Sequence, residues 1–287
     1  MVLFFDTIEC YILNLDMQNK KIILPNFYNF LRPKQTKNLA RFGVKKDGGY
    51  IVDLTSVNRV NHLVSFGMAD EFSFETDFLN NNKDNTLEIY DFSVNHKNYL
   101  RNISKVLRRF LTFRKNLNHL IAVIKHYLNF LKFINNQKVK FYSKKITNNI
   151  KNKNEINLQN IFHDLQKSIN KIGLKIDIEG DEYKIINDII KNSARINFLI
   201  IEFHQIEIKN KTFVNNVEQI TKFFDIVHLH GNNHEKVMQN GLPNVLEITF
   251  VNKTNNLDYV NFPKNFPIDN LDFPNNPFKP DILINFN

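Results

Sequence analysis

The stretch from Leu174 to Ile190 constrains the fold of this chain more than any other. A short apolar run ends at two carboxylates, Asp177 and Glu179, and Gly180 then permits a sharp turn. After the glycine, apolar residues recur at helical spacing, namely Tyr183, Ile185, Ile186, Ile189 and Ile190. The pattern predicts a strand, a turn and a helix. Because ligands of an open α/β sheet lie beyond the carboxyl ends of its strands, Asp177 and Glu179 are candidate site residues.

Six further apolar runs predict strands, which makes seven in total. They are His62 to Gly67, Leu87 to Phe92, Val139 to Tyr142, Ile196 to His204, Phe224 to Gly231 and Asn244 to Val251. Helical patterns separate most of them, beginning near Ser73 and covering 97–135, 156–169 and 212–224. This succession predicts an open, mainly parallel sheet with right-handed connections, in which the last strand can enter antiparallel.

The positive charge of the chain is concentrated in one segment. The chain has 287 residues and a net charge of +9, and residues 97–145 contain 13 Lys and Arg but no Asp or Glu. The rest of the chain therefore has a net charge of −4. With 43% hydrophobic residues, the length is sufficient for one large domain with additions. Basic charge so localised points to one surface and not to a generally cationic protein.

Apolar residues in 97–135 recur mostly three and four positions apart, which predicts one or two amphipathic helices with a basic outer face. Three interpretations remain open: a solvated insertion, a surface that contacts anionic membrane, or a lid over an acidic substrate. Nucleic-acid binding is disfavoured, because no glycine-rich loop or recognisable binding module accompanies the charge.

The N-terminal part of the chain gives no membrane or secretion pattern. Its apolar runs are interrupted by Asp6 and Glu9 and follow no basic region, so we expect neither a signal peptide nor a membrane span. The single cysteine, Cys10, excludes an internal disulfide and fits a reducing compartment. A cytoplasmic protein is expected.

Composition divides the chain into an extension over 1–40, a domain over 41–255 and a Pro- and Asn-rich tail over 256–287. The tail is expected to be extended and without regular structure. At the start of the domain, Asp47 and two glycines separate apolar ends within Arg41 to Asp53, a pattern typical of a β-hairpin. The adjacent glycines would also let the backbone approach a ligand.

Two features indicate a cradle for a nucleotide-like ligand. Gly67 ends the first predicted strand shortly before a helix that begins near Ser73. About twenty residues further on, Asp91 ends the next strand, at the spacing where an acidic side chain accepts hydrogen bonds from ribose hydroxyls. The alternative is that Asp91 caps the following loop.

The last strands also end in polar side chains. Glu202 and His204 share one side of their strand, since alternate residues face the same way. The next strand ends in a cluster formed by His228, His230, Asn232, Asn233 and His234. Carboxylates, imidazoles and amides on adjacent strands are also the composition of a divalent-metal site.

These motifs, in this order, resemble the FkbM-type methyltransferases, which use S-adenosylmethionine. The motifs that carry the resemblance are Asp47 to Tyr50, Ser65 to Glu75, Asp91, Leu174 to Glu182, Ile201 to His204, His230 to Asn233 and Leu246 to Thr249. The resemblance implies an α/β class I methyltransferase (Rossmann-like) fold, with a seven-stranded sheet in the order 3-2-1-4-5-7-6. The basic helices are not part of the shared pattern.

The resemblance also implies roles for individual residues. Those implied to bind the cofactor, S-adenosyl-L-methionine, are Gly67, Asp70, Glu75 and Asp91. Those implied to face the acceptor as catalytic groups are Asp177, Glu179, His204 and His230. Those implied to bind the substrate are Asp47, Tyr50, Asn232 and Asn233. As general base we favour His204 or His230, because an imidazole titrates near neutral pH whereas a carboxylate would need its pKa raised by burial.

The sequence therefore predicts an enzyme that methylates a hydroxyl group, by family analogy on a sugar, a glycan or a related metabolite. Two alternatives remain open: a divalent-metal-dependent hydrolase, and a non-catalytic binding protein that works through its basic helices. No metal ligand is assigned, although a divalent metal could orient a diol acceptor. The expected location is the cytoplasm, with contact to the inner membrane face through 97–135 as one option.

Overall fold

A computed structural model of the protein describes residues 23–165 and 169–287, so Cys10 and the first part of the predicted extension lie outside the described residues. The strands are β1 (Gln35–Thr36), β2 (Leu39–Phe42), β3 (Tyr50–Asp53), β4 (His62–Phe66), β5 (Thr86–Tyr90), β6 (Val139–Tyr142), β7 (Lys145–Ile146), β8 (Glu155–Ile156), β9 (Ile172–Ile176), β10 (Ile196–Phe203), β11 (Phe224–Gly231), β12 (Leu246–Asn252), β13 (Tyr259–Asn261), β14 (Asn265–Phe266) and β15 (Ile284–Asn285). The α-helices are α1 (Leu54–Val57), α2 (Ser73–Asn81), α3 (His96–Leu111), α4 (Leu117–Ile134), α5 (Leu158–Asp164), α6 (Ile186–Lys191) and α7 (Ile206–Ile220). Short 3₁₀ helices cover Asn26–Leu31, Glu182–Lys184, Ser193–Arg195 and Lys253–Asn255.

Seven strands form the central sheet in the order β11-β12-β10-β9-β4-β5-β6. All neighbours are parallel except β12, which runs antiparallel to both β10 and β11. Numbered along the chain within the sheet, this order is 3-2-1-4-5-7-6. The predicted class I methyltransferase strand order is therefore confirmed, as is the antiparallel last strand.

Both faces of the sheet are covered, and every residue of β9 and β10 is buried. One apolar layer contains residues of α5, α6 and α7 together with the N-terminal 3₁₀ helix and the end of the tail. The other contains residues of β3, α1 and α2 and of the two long helices. Central strands buried on both faces read as continuous apolar runs, which is why the sequence showed them clearly.

The predicted β-hairpin is present as β2 and β3, which pair antiparallel. It packs on the sheet, where the Thr249 hydroxyl donates a hydrogen bond to the Ile51 carbonyl over 2.6 Å. This contact holds the loop with Asp47, and Tyr50 after it, beside the carboxyl ends of the central strands.

The segment 97–135 forms two antiparallel helices, α3 and α4, called here the helical hairpin. Asn95 and Asn116 cap their N-termini by accepting hydrogen bonds from the backbone of Asn98 and His119. Tyr99 and Phe130 stack at a ring-centroid distance of 4.7 Å and attach the hairpin to the core. Among the helices of the described residues, none combines the length and apolar content that crossing a bilayer requires.

Three predicted helix boundaries were wrong. The helix predicted over 212–224 spans Ile206–Ile220, and the one predicted over 156–169 is described only for Leu158–Asp164, with Leu165 already extended. After Gly180 a 3₁₀ turn precedes α6. The tight turn follows from Glu182, whose fully buried carboxylate accepts hydrogen bonds from the backbone of Gly180 and His204.

The tail also differs from the prediction of no regular structure. Its strand β13 pairs with β1, and β14 pairs with β15. A further bridge joins Ile23 to Asn285. Backbone pairing of this kind joins the two ends of the described chain, and local sequence patterns do not reveal partners so far apart.

One charge lies in the centre of the sheet. Lys175, on β9, is 2% exposed, and its ammonium group lies 3.4 Å from Glu75 Oε1. It also donates a hydrogen bond to the Gly67 carbonyl and lies over the ring of Tyr50. Burial alone would lower the pKa of Lys175, but Glu75, Asp177 and Glu202 together more than offset this and raise it. The pair therefore connects β9 to α2 and to the loop after β4.

We expect Lys175→Met to reduce the free energy of unfolding by about 3–5 kcal/mol, because it leaves the Glu75 carboxylate buried without a counterion. Adding Glu75→Gln should restore most of the loss, since the amide still accepts the hydrogen bond that Ser65 donates to Glu75. Urea unfolding of both variants measures this. A loss below about 1 kcal/mol in the single variant would contradict a structural ion pair.

Candidate functional site

Two cavities open at the edge of the sheet where the parallel strands end. The first has a volume of about 560 Å³ and the second about 410 Å³. Both fall in the range of roughly 300–1,000 Å³ that is typical of ligand sites. The loops after β4 and β5 and the helical hairpin line the first cavity, and the loops after β9, β10 and β11 line much of the second. Open α/β sheets bind their ligands at this edge.

The two cavities have different linings. The first mixes apolar side chains with the polar groups of Asp70, Ser93, Asn95, Asn98, Asn102, His119 and His126. The second is dominated by carboxyl, imidazole and amide groups from Asp47, Asp177, Glu179, Glu202, His204, Gln205, Asn232, His234, Glu235 and Asn244. The first therefore suits a ligand with a large apolar part, and the second suits a polar one.

Gly67 connects the walls of the two cavities. Its φ is +73°, and a Cβ atom there would lie only 1.6 Å from the carbonyl oxygen of Asp177. Ala69, two residues on, lines the first cavity, and Asp177 lines the second. The glycine, predicted to bind the cofactor, is thus required where two backbones meet between the cavities.

Asp91 holds the loops of the first cavity together. Its Oδ2 accepts hydrogen bonds from the backbone N–H groups of Met68 and Ala69, and its Oδ1 accepts from the backbone and hydroxyl of Ser93 and from Val94. A carboxylate has roughly four lone-pair positions, so these five donors leave none of them free. Asp91 therefore caps the loop, as the alternative interpretation predicted. Neither of its carboxylate oxygens is free to accept the predicted hydrogen bond from a ribose hydroxyl.

The other two predicted cofactor residues differ in position. Asp70 lies in the wall of the first cavity. Glu75 is fully buried, accepts a hydrogen bond from the Ser65 hydroxyl over 2.6 Å and pairs with Lys175. The prediction that Glu75 contacts the cofactor was therefore wrong, because its side chain lies on the core face of α2.

A chain of polar contacts runs through the wall of the second cavity. Asn232 Nδ2 donates a hydrogen bond to Glu202 Oε1, and the Tyr50 hydroxyl lies 3.1 Å from Glu202 Oε2 and 3.0 Å from Asp177 Oδ2. A phenol has one proton, so one of the two carboxyl groups must itself carry a proton. Burial, with Asp177 and Glu247 nearby, raises the pKa of Glu202 well above its ordinary value, which assigns that proton to Glu202.

Asp177 is consequently the carboxylate that accepts the Tyr50 proton. Burial raises its pKa to about 6, although Lys175, His204 and the Tyr50 hydrogen bond each lower it. Its Oδ1 accepts no hydrogen bond from the part of the chain that the structure describes. Near neutral pH, Asp177 is therefore ionised yet basic enough to take a proton, which is the condition for a carboxylate base.

Four carboxyl groups surround His204. Its Nε2 lies 3.8 Å from Asp177 Oδ1, 3.6 Å from Glu179 Oε2 and 3.9 Å from Glu202 Oε1, and its Nδ1 lies 3.7 Å from Glu182 Oε1. Burial alone would lower the pKa of His204, but these carboxyl groups raise it to about 10. At neutral pH the ring is thus an imidazolium. Since a general base must begin unprotonated, this raised pKa disfavours the predicted role of His204 as a base, although His204 does line the second cavity.

Asp177, Glu179 and His204 each place one donor atom within 4.8 Å of the other two, a set that could hold a divalent cation. Without a metal ion, the imidazolium of His204 supplies the positive charge among these carboxylates. A metal ion binding to His204 would have to displace its proton, so affinity should increase with pH.

His230 was also predicted to act at the acceptor, and the structure places it elsewhere. The ring is 2% exposed, and its Nε2 lies 3.0 Å from both carboxylate oxygens of Asp281. Its Nδ1 lies 3.4 Å from Glu247 Oε2. These partners raise the pKa of His230 to about 10 despite its burial. It is a buried ion-pair residue outside the second cavity, because the tail covers it.

Only some of the residues predicted to bind the substrate lie at the second cavity. Asp47 and Asn232 line the second cavity, while the hydroxyl of Tyr50 supports its wall. Asn233 instead donates to the backbone carbonyls of Asn276, Lys279 and Pro280, so its amide holds the tail and is not free for a substrate. Glu179 lies at the cavity rim with its side chain 88% exposed and a left-handed φ of +56°.

Several residues of this network were missed at the sequence level. Lys175 interrupts a buried apolar strand, and that placement of a charge was the available signal. Glu202 was noted beside His204 but given no role. Nothing local identified Asp272 or Asp281, which pair with His228 and His230 across 44 and 51 residues of sequence.

No protein-family model matches the chain, and no curated protein matches it in sequence. Solved structures show low similarity. A chain of a fibrillarin/Nop5p complex has a TM-score of 0.36 at 7% identity, over 67% of this chain and 73% of that one. A precorrin-6y C5,15-methyltransferase from Geobacter metallireducens GS-15 has a TM-score of 0.34 at 10% identity, over 69% and 87%. The fold assignment therefore rests on the strand order of the chain itself.

In protein with carbon-13 in its Asp and Glu carboxyl groups, we expect Asp177 to titrate with a midpoint of about 6. Tyr50→Phe should move the midpoint to higher pH, because the hydrogen bond from Tyr50 favours the ionised form. Tyr259→Phe removes a hydroxyl that donates to Asp225 instead and should leave it unchanged. A midpoint of about 4 for Asp177, its ordinary value, would contradict the assignment.

Proposed function

We propose that this protein is an S-adenosylmethionine-dependent methyltransferase that methylates a hydroxyl group. The observation that carries the proposal is the pair of cavities at the carboxyl edge of a 3-2-1-4-5-7-6 sheet. Asp177 lines the second cavity, and its backbone meets that of Gly67, two residues before Ala69 in the lining of the first. Methyl transfer needs a donor site and an acceptor site that meet at one point. It also needs a base there to take the proton of the acceptor.

The first cavity suits the cofactor. It lies beyond β4 and β5, its volume is sufficient for a nucleoside-sized ligand, and its lining combines the Asp70 carboxylate with asparagine amides and apolar groups of Val94 and Tyr99. Asp91 would act on such a ligand indirectly, by fixing the Met68 and Ser93 backbones. When bound, S-adenosylmethionine supplies an electrophilic methyl group on its sulfur.

Asp177 is the proposed general base. Tyr50 fixes one of its carboxylate oxygens through a hydrogen bond, and the other is available to an acceptor hydroxyl in the second cavity. As that oxygen takes the proton, negative charge moves from the Asp177 carboxylate to the acceptor oxygen, which makes the acceptor oxygen a better nucleophile for the methyl group. The His204 imidazolium, 3.8 Å from Asp177 Oδ1, would stabilise the negative charge that develops on the acceptor oxygen as its proton moves to Asp177.

The lining of the second cavity supports one class of acceptor. With Glu202 protonated, the carboxylates of Asp47, Asp177, Glu179 and Glu235 still outnumber the imidazoles of His204 and His234. This excess of negative charge disfavours phosphorylated or carboxylated acceptors. Carboxylate and amide oxygens instead accept hydrogen bonds from hydroxyl groups, so a neutral polyhydroxyl compound such as a sugar is the acceptor class that the lining favours.

Calorimetry should detect binding of S-adenosylmethionine and of its demethylated product. Ala122→Phe, on α4 in the wall of the first cavity, should weaken binding by about tenfold or more, because the ring fills space that the ligand needs. Asn118→Phe, exposed on the same helix and outside the lining, is the matched control and should leave affinity unchanged. Absence of binding by folded wild-type protein would refute the cofactor assignment.

Methyl transfer itself can be followed with methyl-labelled S-adenosylmethionine and a panel of neutral sugars, with catechols and phosphorylated sugars for comparison. We expect transfer to neutral sugars to increase with pH through about pH 6 as Asp177 ionises. Asp177→Asn should retain cofactor binding and reduce transfer by roughly 10²–10⁴-fold, since it removes the base. Glu235→Gln, at the same cavity, should reduce it far less. Transfer at wild-type rate in Asp177→Asn would exclude Asp177 as the base.

The donor set at Asp177, Glu179 and His204 supports one alternative, a divalent-metal-dependent hydrolase. Such an enzyme would bind Mn²⁺ at this site and would not require S-adenosylmethionine. Titration with Mn²⁺ in wild type and Asp177→Asn, alongside the cofactor calorimetry, separates the two functions.

A further inference from the structure

The outer face of the helical hairpin has a strong positive charge, which no ion pair within residues 23–165 and 169–287 neutralises. Residues 97–135 include nine basic side chains and no acidic one, namely Lys97, Arg101, Lys105, Arg108, Arg109, Arg114, Lys115, Lys125 and Lys132. In the described part of the chain, the ion pairs involve other residues. Long side chains of one sign on a single surface repel one another, so they favour an anionic partner.

Each helix of the hairpin also has a second apolar stripe, which is exposed in the part of the chain that the structure describes. On α3 the core-facing side is marked by the buried Tyr99 and Val106. Leu100, Leu107 and Leu111 lie on another side, within about 40° of one another at helical spacing, and they are 54%, 42% and 65% exposed. The basic residues of α3 follow directly beside this stripe. A helix that folded only onto its own core would have no need of a second apolar stripe.

The same arrangement continues across the turn and along α4. Phe113, in the connecting turn, is 97% exposed, and the exposed apolar residues of α4 are Leu117, Ile121, Ile124 and Leu128. Phe113 also has a left-handed φ of +55°, at the helix end where glycine is usual. Leu111, Phe113 and Leu117 therefore form an apolar tip at the free end of the hairpin, with Arg108, Arg109, Arg114 and Lys115 around it.

We propose that the helical hairpin docks this protein on an anionic lipid bilayer, with the apolar tip inserted among the lipid headgroups. Two complementarities select this occupant. Lysine and arginine pair with anionic headgroups, and exposed leucine, isoleucine and phenylalanine enter the boundary with the acyl chains. A nucleic acid would neutralise the same charges, but its phosphate backbone would leave the apolar stripes in water.

Docking would bring the first cavity close to the bilayer surface. Asn98, Asn102, His119 and Ala122, all on the hairpin, contribute to the cavity wall, so the same two helices border the ligand site and contact the lipid. Docking involves only the surface of the hairpin and does not depend on methyl transfer.

The test is cosedimentation of the full chain with vesicles. We expect binding to phosphatidylcholine vesicles that contain about one third phosphatidylglycerol and much weaker binding to pure phosphatidylcholine. Raising the salt concentration from about 0.05 to about 0.5 M should weaken binding to the anionic vesicles, because screening reduces the attraction.

Two variants separate the charge from the apolar tip. Combined Arg108→Gln and Arg109→Gln should weaken partitioning about 25-fold, at roughly fivefold for each charge. Phe113→Ser should weaken it about tenfold through lost apolar burial. Matched controls on other surfaces are combined Lys37→Gln and Lys211→Gln, and Ile208→Ser, where the isoleucine is 77% exposed on α7. Circular dichroism verifies that each variant is folded.

Equal loss in the control variants would overturn the proposal, because the effect would then reflect overall charge or hydrophobicity. Failure of folded wild-type protein to bind anionic vesicles at low salt would also overturn it. Binding to a single-stranded RNA oligonucleotide that depends on Arg108 and Arg109, without vesicle binding, would assign the surface to nucleic acid instead.

Discussion

The buried ion pair between Lys175 and Glu75 is the contact on which the arrangement of the site depends. The ammonium group of Lys175 lies in the middle of the sheet and links β9 to α2 and to the Gly67 carbonyl. An isolated ammonium could not remain charged there, so the acidic partner on α2 is obligatory. Asp177, two residues after Lys175, lines the second cavity. Ala69, two residues after Gly67, lines the first. One ion pair thereby places the two cavity walls against each other.

The cost of burying charge away from water also determines the protonation states at the carboxyl edge of the sheet. Burial raises the pKa of Asp177 to about 6 and keeps Glu202 protonated, while the surrounding carboxyl groups keep His204 charged. The tail contributes in the same way, because Asp281 and Asp272 pair with the histidines of β11, which are not part of the lining of the second cavity. Side chains of the same type therefore differ in protonation state and role because their partners differ.

Sequence patterns predicted the sheet well and the roles of its polar residues poorly. Strands such as β9 and β10 are apolar along their length, and the shared face of Glu202 and His204 follows from the two-residue repeat of a strand, so both could be predicted locally. Helix ends were less predictable, because a buried side chain such as Glu182 sets the turn through partners on another strand. Glu75 and His230 were misassigned for the same reason, since each is committed to a partner that no local pattern identifies.

By itself, the sequence determined the order and type of the elements, the strand ends that carry carboxylates and imidazoles, and the basic amphipathic segment. Hydrophobic periodicity and charge are local properties, which is why they could be interpreted before folding. Only the tertiary structure decided which side chains meet: that Asp91 braces two loops, that Tyr50 joins Asp177 to Glu202, and that the tail encloses His230. A pKa depends on burial and on charges within a few ångströms, and both arise only when distant parts of the chain are packed together.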